Sequence, residues 1–324
     1  MNARPLWIAV LACAISMGYP RAILAAGGSQ PPQAKSKPAS SITIGLIMKT
    51  LTNPFFVDME RGARRAESEL GIRLVVRTGA QETSISQQIA IVEEMTAQRI
   101  DAIVIAPGSS TELVLPLKKA QDAGMPIVNI DNRLDAEFSR RVGLRGVPFV
   151  SVDNEKGAYL SARYIAQKAR GAARAAVLEG IRTADNARLR LAGALRAFKE
   201  VPSVQVVATE TANWKIDEAA AMTGKILDRH PDLQLLFCAN DMMALGAIQH
   251  LQHSGKRDVL VAGYDALAEA IKAIRIGTLQ ATVDQQAAQQ GYLGIRYALE
   301  LIRGGAPPPE TIVDVKLISK ETLR

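Results

Sequence analysis

Cysteine, histidine and aromatic side chains are scarce in this chain of 324 residues. With only Cys13 and Cys238, a disulfide framework is excluded. If the first segment is removed, Cys238 stands alone and stability must come from packing. His230, His250 and His253 are the only histidines, and the last two, at i, i+3, fall in QHLQHSGKR, which reads as the polar end of a helix. No Gly-x-Ser-x-Gly, Walker A loop, post-strand Gly-x-Gly-x-x-Gly or Cys/His pair at metal spacing occurs. No pair of acidic residues stands out as in a glycosidase. The chain is therefore read as a non-enzyme without metal or cofactor. Aromatic residues make up only 4%, so each one outside the core is informative.

Long apolar runs are also lacking, with one short exception. Pro5 to Tyr19 is apolar behind a single basic residue, Arg4, and ILAAGG then offers small residues for cleavage near Ala25 or Ala26. Residues 1–26 read as a secretory signal peptide, which marks the mature protein for export. Residues 27–40, rich in Gly, Pro, Ser and Lys, read as a flexible lead-in. The formal charge of +7 falls by two, to +5, on loss of Arg4 and Arg21. An excess this small reads as a solvated basic face. No nucleic-acid motif accompanies it.

What the chain does have is alternation. Strand-like runs at 42–48, 72–78, 101–107 and 125–131 alternate with helical patterns near 53–70, 84–98 and 111–124. After RGVPFVSVDN the series restarts, with strands at 173–180, 203–210, 233–241 and 258–265 and helices near 154–169, 186–199, 215–229 and 241–254. TLQATVDQ, a helix from Gln286 to Arg303 and a final strand TIVDVKLI complete it. The expected fold is α/β, two similar doubly wound parallel-sheet lobes. Neither sheet is filled by one continuous half of the chain, so the lobes are expected over 41–151 with 285–311 and over 152–284 with 312–324. The crossing segments would act as a hinge.

Open parallel sheets bind ligands beyond the carboxyl ends of their strands. The polar residues there are Lys49, Asn53, Asp131, Asn132, Arg188, Asn240, Asp265 and Gln285. Carboxylates, cations and amides together suit vicinal hydroxyls, and Phe55, Phe56 and Trp214 could cover the C–H faces of a sugar ring. Each has a plainer reading. Asn53 before Pro54 is a helix N-cap. Phe55, Met59, Ala63 and Ala66 trace one helical face, which favours one ring in the core and its neighbour toward the cleft. Lys49 suits a solvated strand end, Asp131 and Asp265 suit caps, and Arg188, among Arg182, Arg190 and Arg196, suits the surface. Trp214 in the polar stretch TANWKID reads as a large exposed aromatic beside the cleft.

KTLTNPFFVDM, DAIVIAPGSS, MPIVNIDNR, SVDNEKGA, the NAR of TADNARLR, NWK, FCANDMMALGA, VAGYDA and ATVDQ, in this order over nearly all of Ile42 to Leu323, resemble the periplasmic sugar-binding proteins of ABC transporters. The likeness is to the ribose-binding and allose-binding group, of type I periplasmic binding protein fold. It implies two lobes on a three-segment hinge closing on one monosaccharide or polyol, with an inner-membrane permease as partner. A chemoreceptor or sensor kinase is the alternative output, and the protein is expected to be monomeric and to bind no nucleic acid. Carried over by position, Asn53, Phe55, Phe56 and Asp131 come from the first lobe, Arg188, Trp214, Asn240 and Asp265 from the second, and Gln285 lies near the hinge. Lys49 resembles the allose pattern. Asn132 departs from both, standing where ribose binders have Arg and allose binders a carboxylate, and this leaves the identity of the sugar open.

Overall fold

The computed structural model describes Pro38 and residues 41–323. The expected leader, and the lead-in apart from Pro38, lie outside the described residues. The first series of elements is β1 (Thr43–Met48), α1 (Pro54–Leu70), β2 (Arg73–Thr78), α2 (Ile85–Ala97), β3 (Ala102–Ile105), α3 (Val114–Asp122), β4 (Ile127–Ile130), α4 (Ala136–Val142) and β5 (Phe149–Val152). The second is α5 (Asn154–Ala166), β6 (Ala173–Glu179), α6 (Asp185–Lys199), β7 (Val204–Thr211), α7 (Ile216–Arg229), β8 (Leu233–Cys238), α8 (Asp241–His253), β9 (Leu260–Ala262), α9 (Ala268–Ile276) and β10 (Ala281–Asp284). Then follow α10 (Ala287–Ile302), β11 (Glu310–Val313) and β12 (Lys316–Ser319).

Among the described residues these strands form two six-stranded sheets, ordered β11-β5-β4-β3-β1-β2 and β12-β10-β9-β8-β6-β7. Every pairing is parallel except that of β12 with β10. The central strands β3 and β4 are buried along their whole length. Helices cover both faces of such strands, which is why they read as unbroken apolar runs. Four elements depart from the sequence reading. The short helices α4 and α9 have no counterpart in the expected series, and FVSV is a strand, β5, too short to show a period. TIVDVKLI is two strands, because the chain leaves the first sheet at Asp314 and Val315 and joins the second antiparallel.

The chain thus passes between sheets after β5, after β10 and between β11 and β12. α10, which follows β10 of the second sheet, packs against α1, β3 and β4 of the first. That contact is backbone to backbone. A Cβ on Gly62 would lie 1.8 Å from Ala288 O, and one on Gly291 would lie 2.1 Å from Met59 O. In each sheet the strand order reverses at the middle, beside β1 and β6. There two neighbouring connections depart to opposite faces and leave a crevice at the carboxyl ends. No helix among the described residues is long and apolar enough to cross a membrane.

Candidate functional site

The two crevices face each other across a small buried cavity. Its lining comes from both sheets: Lys49, Asn53, Phe55, Phe56, Glu82 and Asp131 from the first lobe, Asn186, Arg190, Trp214, Asn240 and Asp265 from the second, and Gln285 at the second crossing. Nearly all of these side chains are out of solvent, so a molecule inside is reached only if the lobes part.

On the first lobe, Asn53 serves two purposes. Its Oδ1 accepts from Phe55 N at 3.0 Å, capping α1 with Pro54 at the first helical position. Its Nδ2 donates to Glu82 Oε1 at 2.9 Å. Phe55 and Phe56 both line the cavity, edge to face at 5.0 Å between centroids, and both join the core cluster. The division of one ring to each environment therefore does not hold. Lys49 is no solvated charge: its Nζ lies 2.8 Å from Asp131 Oδ2, with both side chains buried. It also sits 5.5 Å from the Phe56 ring centre and 6.0 Å from that of Trp214.

On the second lobe, Arg190 is the hub. Its guanidinium donates to Asn154 Oδ1 and Ala239 O, each at 2.8 Å, and to Gln285 Oε1 at 3.2 Å, and lies 3.6 Å from Asp265 Oδ1. Tyr264 stacks 3.8 Å beneath it. Gln285 Nε2 donates to Asp265 Oδ1 at 2.6 Å. Asn240 Oδ1 caps α8 at Met243 N, 2.9 Å away, while its Nδ2 donates to Trp214 O at 3.3 Å. Asp131 and Asp265 cap no helix: α4 begins from Asp135 and α9 from Leu267.

Three expectations need correction. Arg188 is exposed and pairs with Asp185 on the surface, whereas Arg190 enters the cavity. Trp214 is buried, at 4% exposure, because its ring lies over Gly180, where a Cβ would sit 2.0 Å from Cζ2. Asn132, fully buried, does not line the cavity; its amide donates to Pro107 O and Ser110 Oγ, and its Oδ1 accepts from Asn186 N. The residues the sequence reading missed are Glu82, Asn186 and Arg190. Asn186 and Arg190 lie on the buried stripe of α6 with Ala187, Gly193 and Ala194, and a polar pair on an apolar stripe was a usable signal. Glu82, in the loop before α2, had none.

Burial dominates the electrostatics. It raises the Glu82 carboxyl above its usual value, against the opposing pull of Lys49 and the hydrogen bond from Asn53. It also raises Asp265 well above the carboxylate range, although Arg190 works against it. Behind Asp265, Asp241 accepts from Thr282 Oγ1 at 2.7 Å and from Leu267 N at 2.9 Å, and burial pushes it up to about 7. Three side chains of the lining keep a polar atom without a hydrogen-bond partner in the protein, Asn186 Oδ1, Trp214 Nε1 and Asp131 Oδ2, the last of which is ion-paired with Lys49. The cavity therefore offers carboxylate, cationic and amide groups between aromatic faces. No group of three or more His, Cys, Asp or Glu among the described residues is placed to hold a metal ion.

Comparison with known proteins agrees with this geometry. A D-ribose/D-allose-binding protein of Pseudomonas aeruginosa is 40% identical over 270 residues, covering 82% of this chain and 84% of the relative. A D-allose-binding periplasmic protein of Escherichia coli is 32% identical over 267 residues, covering 82% and 86%. Among solved structures, an ABC transporter periplasmic solute-binding protein from Actinobacillus succinogenes with bound D-allose superposes with a TM-score of 0.82 at 37% identity, covering 87% of this chain and 98% of that one. The family model described as periplasmic binding protein domain matches residues 44–306, and with the two-sheet fold and the closed interlobe cavity this shows that the chain belongs to the periplasmic binding protein domain family.

Proposed function

We propose that this protein is a periplasmic receptor that captures one monosaccharide, a ribose-like or allose-like pentose or hexose, between its lobes and delivers it to an ABC transporter permease. The observation that carries this reading is the buried interlobe cavity, lined from both lobes by polar groups together with aromatic rings. Vicinal hydroxyls donate to Asp131, Asp265 and Glu82 and accept from Lys49, Arg190 and the Asn53 and Asn240 amides. Phe55, Phe56 and Trp214 cover the C–H surface of the ring. Because each lobe supplies part of the set, sugar binds the closed form far better than the open one and shifts the population toward it.

Asn132 stands outside the cavity, so its departure from the ribose and allose patterns bears on closure rather than on the sugar contacted. The leader over 1–26 exports the chain and is removed near Ala25 or Ala26, and the mature protein acts as a monomer without turnover. The relatives named for D-ribose and D-allose support the sugar class. Calorimetric titration of the mature protein with ribose, allose and a panel of other pentoses, hexoses and polyols tests the reading. One-to-one saturation by at least one sugar, recovered unchanged, is expected; no saturable heat with any of them would overturn it.

A further inference from the structure

The first turn of a helix leaves N–H groups without intrahelical partners, and a Ser, Thr, Asp or Asn at the N-cap normally supplies one. α1, α4, α5 and α8 follow this rule, with Asn53, Asp135, Asp153 and Asn240. α2, α3, α6, α7, α9 and α10 lack such a bond from their own N-cap residue, and in α6 that residue is Ala184, whose methyl side chain has no acceptor to offer. The partners of α6 come from the other lobe. Asp185 N donates to Ser110 Oγ at 3.0 Å, and Asn186 N donates to Asn132 Oδ1 at 3.1 Å. A third bond runs the opposite way, from Ser110 N to Thr183 O at 3.2 Å.

We infer that Ser110 and Asn132 are positioning residues that cap α6 across the cleft and hold the lobes shut beside the sugar cavity rather than within it. Neither lines the cavity, and both are buried, at 5% and 0% exposure. Asn132 is held in place by its own lobe, since its Nδ2 donates to Pro107 O at 3.0 Å and Ser110 Oγ at 3.3 Å. α6 in turn carries Asn186 and Arg190 into the cavity. When the lobes part, the freed N–H groups turn to water at little cost. When they close without an acceptor, a buried donor is left unsatisfied. The latch therefore adds the same closing free energy for every sugar. It sets affinity, while the cavity sets selectivity.

The inference rests on the receptor reading above, and the experiment separates the two. Ser110→Ala is compared with the unsubstituted protein for Kd and dissociation rate with ribose, allose and a third sugar that binds. Kd is expected to rise by about fivefold or more, the low end of the range for a donor deprived of its acceptor because the Asp185 N bond is part-buried. The factor should be the same for each sugar and carried by faster dissociation. An unchanged Kd or a loss that differs from sugar to sugar overturns the latch while leaving the receptor intact. Absence of sugar binding by the unsubstituted protein overturns both.

Discussion

Arg188 and Arg190 stand two positions apart on α6, and on an α-helix that is a rotation of about 200°. One guanidinium consequently meets water and Asp185, while the other enters a buried network at 3% exposure. Two positions along the helix thus decide whether an arginine is a surface charge or part of the cavity lining. The free energies differ accordingly. Removing one partner of a buried ion pair costs about 3–5 kcal/mol, whereas an exposed substitution stays within about 0.5 kcal/mol. Arg190→Ala should lower the unfolding free energy by the larger amount in urea titrations and abolish sugar binding in calorimetry. Arg188→Ala should leave both as they are; a loss of affinity in that variant would return Arg188 to the site.

At the scale of elements, the site is built by strand-end turns in unusual backbone conformations. Asp131, Asp265, Ala266, Asn213, Trp214 and Gln286 all have positive φ, from 48° to 123°. Such conformations cost free energy in L-residues and persist only where neighbouring structure enforces them. After β9 the enforcement is visible. Thr282 Oγ1 on β10 accepts from Ala266 N at 3.2 Å and donates to Asp241, which also holds Leu267 N. Asp265 is thereby fixed where Arg190 and Gln285 meet it. Thr282→Val keeps the shape but removes the hydroxyl, leaving a buried carboxylate oxygen and an N–H short of partners, at about 1–3 kcal/mol. We expect a matching loss of stability in urea and a weaker Kd for sugar. A loss of stability with unchanged Kd would show that the turn does not position Asp265.

For the molecule as a whole, closing the lobes gathers Glu82, Asp131 and Asp265 around one cavity with only Lys49 and Arg190 against them. Glu82, Asp265 and Asp241 bind protons more tightly in the native chain than in the unfolded one. The contribution of these three groups to stability is therefore greatest below the ordinary carboxyl values and falls as pH rises through the raised native ones, for Asp241 between 3.8 and about 7. Glu82→Gln fixes an uncharged side chain and should flatten part of that fall in urea midpoints measured from pH 4 upward; an unaltered slope would place the effect elsewhere. Alternation of apolar runs and helical periods was enough to determine the two α/β lobes, and the polar strand ends were enough to single out Lys49, Asn53, Asp131, Asn240, Asp265 and Gln285, which the fold brings to the lining of one cavity, because both signals are local. Three things were decided only by tertiary structure: the burial of Trp214 over Gly180, the entry of Glu82, and the diversion of Asn132 from the cavity to the end of α6. Each depends on which backbone from a distant part of the chain lies within hydrogen-bond or van der Waals reach, and only the packing of the two sheets brings those partners together.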